Sequence, residues 1–336
     1  PALKGLAHDC HEHVAFCTAK HSGRDAARDT LARFAADGLI ATTLTLTAKE
    51  RICFSPGHAC RADDCHYARG YHDKLAAARD EALDLPALDQ PAVEAVARRH
   101  VLCPYQLGLD LLPWVDVAIV DQHHVFSLSA ARWSVLVDEA HNLPGRARGM
   151  YSATLPGDFT AAREVLRGPA RRALASLEQT RRSLLQSQVP AGGDYAVLDA
   201  PPAPLLSAIQ AVVAALTEQM AQPGAPVRPH PALQALYFEL LHFARLADLA
   251  AADFCCECLP AEGGRLRLNC IDPARLLAQR HATLHAVVVF SATLSPPGWM
   301  RALLGLDAGA VFRRCASLFR PQQLAVSIEP RIDTRL

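Results

Sequence analysis

The run Trp133–Val137 (WSVLV) is followed directly by Asp138, Glu139, Ala140 and His141. A short, solidly apolar run of this kind reads as a strand buried on both faces of a parallel sheet. Carboxylates leaving the carboxyl end of such a strand stand at the crevice where open α/β sheets bind ligands. The chemistry available there is phosphoryl transfer: an acid in that position can hold Mg²⁺ beside phosphates, and a neighbouring glutamate can polarise an attacking water. Taken alone, Asp-Glu after a strand is equally a solvated turn or a helix start, so the pair needs support from elsewhere in the chain.

The cysteines supply a second chemistry. Cys53, Cys60, Cys65 and Cys103 are spaced C-x6-C-x4-C-x37-C, with Pro104 directly after the last. Four thiolates can ligate a [4Fe–4S] cluster, one per iron, and a Cys-Pro ending also occurs in bacterial ferredoxin runs. The same sulfurs could hold tetrahedral zinc, with His58 and His66 close enough in sequence to substitute. Spacing alone leaves both metals open, beside an unligated surface loop. The second group, Cys255, Cys256, Cys258 and Cys270, is expected to be small buried hydrophobes, because CCEC within a helical period would point its sulfurs in different directions. Cys10, Cys17 and Cys315 are also expected to be structural.

The elements that must position these residues are legible as apolar runs. Val14–Thr18 reads as a strand, and the following helix, over Arg24–Asp37, carries Ala27, Leu31 and Phe34 at helical spacing. Ile40–Thr47 is β-like and leads into Cys53; Val115–Val120 and Trp133–Val137 are further strands, and Arg265–Ile271 and Ala286–Phe290 return to β character. Between them the chain is Ala/Leu/Arg-rich with helical periodicity, over Phe159–Gln188, Pro204–Gln222 and Pro231–Phe254, broken at PAGGD and QPGAPVRPHP. The expectation is one parallel α/β domain interrupted by a cysteine-rich insertion and a helical one.

Composition bounds the function. With 34 Lys+Arg against 34 Asp+Glu over 336 residues the formal net charge is zero, which excludes coating nucleic acid through bulk positive charge; any such contact must be focal. At 51% hydrophobic and 20% charged residues the chain reads as globular. No stretch approaches about 18 uninterrupted apolar residues, and no secretory signal pattern is present. A cytoplasmic protein without a membrane partner is therefore expected, in a compartment where clustered cysteines bind metal or react.

The full run VLVDEAHNLP has the form of motif II of superfamily-two helicases, and FCTAKHSGR (Phe16–Arg24) resembles their motif Ia. Ser291-Ala292-Thr293-Leu294, following VVVF, resembles motif III, and all three occur in the family's order. CPYQLGLDLLPWVDVAIVDQHHVF (Cys103–Phe126) resembles the segment before motif II in the DinG/XPD branch, the iron–sulfur DNA helicases. Relatives usually carry aromatic or amide residues where this chain has Gln122, His123 and His124.

The resemblance implies a RecA-like P-loop NTPase parallel-sheet domain. It would comprise residues 1–52, 104–155 and 265–325, an iron–sulfur domain over 53–103, a helical arch over 156–264, and the start of a second motor domain at 326–336. It implies a [4Fe–4S] cluster on Cys53, Cys60, Cys65 and Cys103, and ATP with Mg²⁺ held by Asp138 while Glu139 activates water. His141, Ser291 and Thr293 would couple the nucleotide to DNA grip, and Thr18, Ala19, Lys20 and Arg24 would lie along single-stranded DNA. The implied intact enzyme is an ATP-dependent 5′→3′ DNA helicase of repair or replication, acting as a monomer on single-stranded, forked or duplex DNA. The P-loop pattern G-x-x-x-x-G-K-[ST] does not occur in these 336 residues. PALKGL resembles the helix that follows it in relatives, and LFRPQQLAVSIEPRIDTRL resembles the start of the second motor domain. A fragment inactive on its own is therefore expected, with a zinc-bearing nucleic-acid module and an iron–sulfur electron carrier as the alternatives. Arg163, Arg167 and Arg171, spaced by four, would share one helix face, with Arg172, Arg181 and Arg182 nearby; a solvated face diluted by Glu164 and Glu178 is the ordinary reading, and strand contact is the alternative that a DNA-translocating scaffold favours. Trp114, Trp133 and Trp299 are expected in the core.

Overall fold

The computed structural model describes residues 2–128, 132–221, 230–317, 320–323, 325 and 327. Helix α1 (Ala2–Ala7) precedes β1 (His13–Thr18) and α2 (His21–Ala36), followed by β2 (Thr43–Thr45), α3 (Lys49–Ile52) and α4 (Tyr71–Leu83). Then come β3 (Ala87–Leu88), α5 (Gln90–His100), α6 (Pro104–Leu111), β4 (Val117–Asp121) and β5 (Trp133–Val137). After α7 (Leu143–Met150) and β6 (Ala153–Leu155) the chain forms α8 (Thr160–Val165), α9 (Gly168–Gln188), β7 (Ala196–Leu198), α10 (Ala203–Ala221) and α11 (Pro231–Leu249). Strands β8 (Phe254–Leu259) and β9 (Arg265–Cys270), helix α12 (Ala274–His281), strand β10 (Ala286–Val289) and helix α13 (Pro297–Leu303) follow.

Six strands pair in parallel in the order β10-β5-β1-β4-β2-β3. The central members are the continuous apolar runs, and they are buried as such runs must be: Ala15, Cys17, Ala118, Ile119, Val120, Val135 and Val137 are inaccessible to solvent. This register brings the carboxyl ends of β10, β5 and β1 side by side, since Cys17 is level with Val137, and Val137 with Val289. Motif-bearing loops from three separate stretches of sequence are thereby adjacent.

The second block differs from the expectation in two ways. Arg265–Cys270 does not rejoin the parallel sheet; it pairs antiparallel with β6 and β8 in a sheet ordered β6-β9-β8-β7. That sheet takes strands from both sides of the expected 156–264 boundary. The CCEC segment is also strand, not helix. Phe254, Cys256 and Cys258 alternate inward along β8, a period of two that the helical reading of 231–254 overran. Cys256, Cys258 and Cys270 are buried as expected, and burial pushes their thiols up, to about 12 for Cys256 and about 11 for Cys270. Helices α9 and α11 pack on this sheet and α10 packs against both of them, with Leu177, Ile209, Val212, Leu240 and Phe243 in the shared core. On length and composition α10 would suffice to cross a membrane, although no uninterrupted apolar stretch was evident in the sequence. Its buried side chains, Leu205, Ile209, Val212 and Leu216, belong to this core.

The arginine stripe is interrupted. Arg163 lies on α8, and Gly168 (φ +55°) with Pro169 restarts the helix as α9, so Arg163, Arg167 and Arg171 share no face. Arg163 pairs with the buried Glu178, and Arg181 donates from the core to the Gly263 and Gly264 carbonyls. Of the tryptophans only Trp133 is core; Trp114 and Trp299 are 54% and 60% exposed, the former covered by the Arg79 guanidinium 4.4 Å from its ring. Cys17 is buried, whereas Cys10 and Cys315 are exposed. The expected start of a second motor domain at 326–336 lies, apart from residue 327, outside the described residues, as does most of the QPGAPVRPHP break.

Candidate active site

Thr18, the last residue of β1, is fully buried and its Oγ1 donates to Asp138 Oδ2 at 2.9 Å. Asp138 Oδ1 accepts from the Glu139 amide at 2.9 Å, and the Asp138 amide donates to the Cys17 carbonyl. The carboxylate that follows β5 is thus tied to the end of β1 by side chain and backbone. Gly23, in the first turns of α2, allows this approach. A Cβ there would lie 2.3 Å from Thr18 Oγ1 and 2.8 Å from Asp138 Oδ2.

Glu139 adopts the left-handed region (φ +50°, ψ 42°), a conformation that costs a non-glycine residue roughly 1–2 kcal/mol. Within the turn the Asn142 amide donates to the Glu139 carbonyl at 3.0 Å, and contacts from neighbouring elements add to it. Gln122, inaccessible just past β4, donates its Nε2 to the carbonyls of Asp138 and Glu139, and the Ala140 amide donates to the Phe290 carbonyl at 3.1 Å. So constrained, the Glu139 side chain meets Lys20 Nζ at 2.5 Å and His141 Nδ1 at 3.5 Å. The hydrogen bond from Lys20 holds its carboxyl below the usual range and raises the lysine in return. His141 Nδ1 lies 2.7 Å from Ser291 Oγ, which also accepts from the Thr293 amide at 3.3 Å. Asp138, Glu139, His141, Ser291, Thr293, Thr18 and Lys20 therefore form one connected polar cluster. Ala19 is half-buried beside it and brings no polar side chain. Arg24 points inward, to the Leu46 carbonyl at 3.3 Å and to Asp121 at 3.8 Å.

Cys53 caps the end of α3, Cys103 caps the start of α6, and Cys60 and Cys65 lie between α3 and α4, Cys65 buried and Cys60 exposed. Burial raises the Cys103 thiol against hydrogen bonds from the Gln106 and Tyr105 amides, and the Cys60 and Cys53 thiols share its field. Lys49 hydrogen-bonds to Cys60. Among the described residues no three Cys, His, Asp or Glu side chains are gathered to hold a single metal ion. The amide hydrogens at Cys103 and the Lys49 ammonium at Cys60 are donors that would support thiolate ligands, although at Cys103 burial outweighs them.

No protein-family profile matches the chain, and neither does any curated protein sequence. Solved structures do match. One described as an XPD helicase superposes over 91% of this chain with a TM-score of 0.51 at 16% identity, and one described as a truncated XPD with 0.53 over 91%, also at 16%. The fold is that of the XPD helicase structures. This chain spans 55% of the length of the first and 89% of the truncated one.

Within the XPD-like fold three supporting residues had not been assigned a role from sequence. Gly23 carries no motif signal, because its requirement is a packing distance. Asp121 ends an apolar strand just as Asp138 does, a signal that was readable. It bonds to His123 and Arg146 at 2.9 Å each. Burial would raise Asp121, but the His123 side chain and amide and the Arg146 guanidinium hold its carboxyl well below the usual range. Gln122 lies in a stretch, with His123 and His124, whose role the sequence leaves in doubt, and its contacts to the Asp138 and Glu139 carbonyls appear only in three dimensions.

Proposed function

We propose that this chain is part of an ATP-dependent DNA helicase of the DinG/XPD type that translocates 5′→3′ on single-stranded DNA and opens duplex or forked DNA in repair or replication. The observation that carries the reading is the polar cluster joining Thr18 and Lys20 to Asp138 and Glu139, and His141 to Ser291, across three neighbouring strand ends. A cluster of that composition can respond to both a nucleotide and a strand. Asp138, with its oxygens oriented by Thr18 and its own loop, would hold Mg²⁺ beside the phosphates, and Glu139 would take the proton from the attacking water. His141, Ser291 and Thr293 would transmit nucleotide state, and Thr18, Ala19, Lys20 and Arg24 would flank the strand. In this reading Arg24 must leave Asp121 to reach a phosphate.

Cys53, Cys60, Cys65 and Cys103 would hold a [4Fe–4S] cluster, which when bound pins the 53–103 segment beside the motor sheet. The domain limits follow the same reading: a motor domain over 1–52, 104–155 and 265–325, an iron–sulfur domain over 53–103 and an arch over 156–264. Because arginine fingers and the P-loop lysine supply most of the rate in such enzymes, the 336 residues alone should neither hydrolyse ATP nor unwind DNA.

Two measurements test this. In a protein joining this chain to a P-loop and a second motor domain, Glu139→Gln should abolish hydrolysis while sparing ATP binding; surviving turnover removes Glu139 as the base. Anaerobically purified chain should be brown with about four irons. A colourless protein with one zinc would replace the cluster by a zinc module.

A further inference from the structure

The amino ends of β1 and β10 carry a separate set of donors, at the opposite end of the sheet from the motif-bearing loops. The approach to β1 reads His8-Asp9-Cys10-His11-Glu12-His13, a run in which every side chain can ligate a metal ion. Several of these are engaged nearby. His13 stacks on Trp133, with ring centroids 4.7 Å apart and its Nδ1 2.9 Å from the Val115 carbonyl, and Glu12 pairs with Arg132. The Cys10 thiol is turned to the His8 carbonyl at 3.7 Å.

His11 differs from its neighbours. Its Nε2 is enclosed by protein and has no hydrogen-bond partner among the described residues, so the hydrogen bond of this ring to the Ala2 backbone engages Nδ1. The ring is seated against Gly5, where a Cβ would come within 2.3 Å of Cε1. Beside it lies the ring of His285, the residue before β10, with centroids 5.4 Å apart and planes inclined by 45°. The His285 amide is fixed to the Trp133 carbonyl at 3.0 Å, while its side chain is exposed and able to turn. Two imidazoles on one ion, with nitrogen–metal bonds of about 2.0–2.1 Å at a tetrahedral angle, bring their centroids roughly 5 Å apart. Burial, outweighing the bond to Ala2 and reinforced by His285, keeps the His11 ring neutral, which is the form that ligates. A ring nitrogen held by a backbone group, with the other left for the ion, is also how ligating histidines are oriented.

We propose that His11, through Nε2, and His285 together bind one late divalent transition-metal ion of the zinc class, with water in the remaining positions. Imidazole suits zinc, copper and nickel, whereas magnesium and calcium take oxygen ligands. No third Cys, His, Asp or Glu is gathered with the pair among the described residues, so the site is an open one with two protein ligands. The bound ion staples the loop before β1 to the loop before β10, the strands that end at Thr18 and lead to Ser291. The pair shares no residue with the polar cluster or with Cys53, Cys60, Cys65 and Cys103, and the inference does not depend on the helicase reading.

The test uses the 336-residue chain with ¹⁵N-labelled histidine, the ring signals of His11 and His285 being assigned through His11→Gln and His285→Gln. These signals report the pair whatever the four cysteines hold. Zinc should move both rings together, to saturation at a single ion, and magnesium at the same concentration should move neither. Because His285 is exposed, His285→Gln keeps the fold, and it should weaken the response of His11 to zinc by about 10–100-fold. His11→Gln should do the same to His285. A response that persists unweakened when the partner is replaced makes these two separate histidines and refutes the site. An equal response to magnesium, or no response of either ring to millimolar zinc, refutes it as well.

Discussion

Replacing Gln122 by leucine separates the support of the motif II turn from the stability of the fold. The carboxamide makes two donations, to the Asp138 carbonyl and, at 3.2 Å, to the Glu139 carbonyl, while its Oε1 is buried without a hydrogen-bond partner. Leucine fills a similar volume and removes donors and unpaired acceptor together. Losing two neutral hydrogen bonds costs about 1 kcal/mol each, and removing a buried unpaired acceptor returns roughly 1–3 kcal/mol. The two effects oppose, so the urea midpoint should move by the equivalent of no more than about 1 kcal/mol. The turn itself is treated differently. Glu139 holds a left-handed conformation that is unfavourable by roughly 1–2 kcal/mol. Without Gln122 the turn keeps the Ala140–Phe290 bond, the bond from the Asn142 amide to the Glu139 carbonyl, that from the Glu139 amide to Asp138, and the side-chain contacts of Glu139 and His141. A local shift of about 2 kcal/mol corresponds to roughly 30-fold. Native-state hydrogen exchange of the Ala140 amide should therefore accelerate by that order while the urea midpoint barely changes. Unchanged exchange at Ala140 combined with a large loss of global stability would refute the reasoning and make Gln122 a packing residue.

Three further outcomes are expected. Gly23→Ala should destabilise by about 1–3 kcal/mol in urea titrations, because the added carbon meets a fully buried Thr18 hydroxyl that has no room to retreat. Wild-type stability would show that α2 can shift away from Asp138. Trp133→Ala should cost about 3–5 kcal/mol, whereas Trp299→Ala, at an exposed position, should stay within about 0.5 kcal/mol; equal effects would overturn the assignment of the core. Burial, with His123 beside it, lowers His124 to about 4. An unfolded histidine titrates near 6.5, so the unfolded chain binds the extra proton first, and the contribution of His124 to stability, complete above about pH 6.5, is lost as pH falls towards 4. Unfolding measured at pH 7 and pH 5 should differ less in His124→Gln than in the wild type.

Several features were readable without coordinates because they depend on local properties of the chain. A strand buried on both faces must be continuously apolar, so the positions of β1, β4 and β5 and the residues at their carboxyl ends could be found from hydropathy alone, and β10, an edge strand with exposed and half-buried residues, is marked by the same apolar run without that burial. The residue types of the cluster, from Thr18 to Thr293, belong to the same category. Helical readings failed where two periods compete. FCCECL alternates with a period of two but abuts a helix of nineteen residues, and cysteine, acceptable on either kind of element, did not mark the boundary. The arginine stripe failed for the complementary reason: spacing by four implies a face only if the helix is unbroken, and Gly168-Pro169 breaks it.

What the sequence by itself determined is therefore the inventory: apolar strands ending in Thr18, Asp138-Glu139 and Ser291, four widely spaced thiols, and a charge total that forbids diffuse nucleic-acid binding. Only the tertiary structure decided who meets whom. Parallel pairing of β1, β5 and β10 sets side by side strand ends that lie more than a hundred residues apart in sequence, and from that register follow the Thr18–Asp138 bond, the Lys20–Glu139 pair and the His141–Ser291 contact. Contacts of this kind span several ångströms across loops separated by long stretches of chain, and no local spacing rule encodes them.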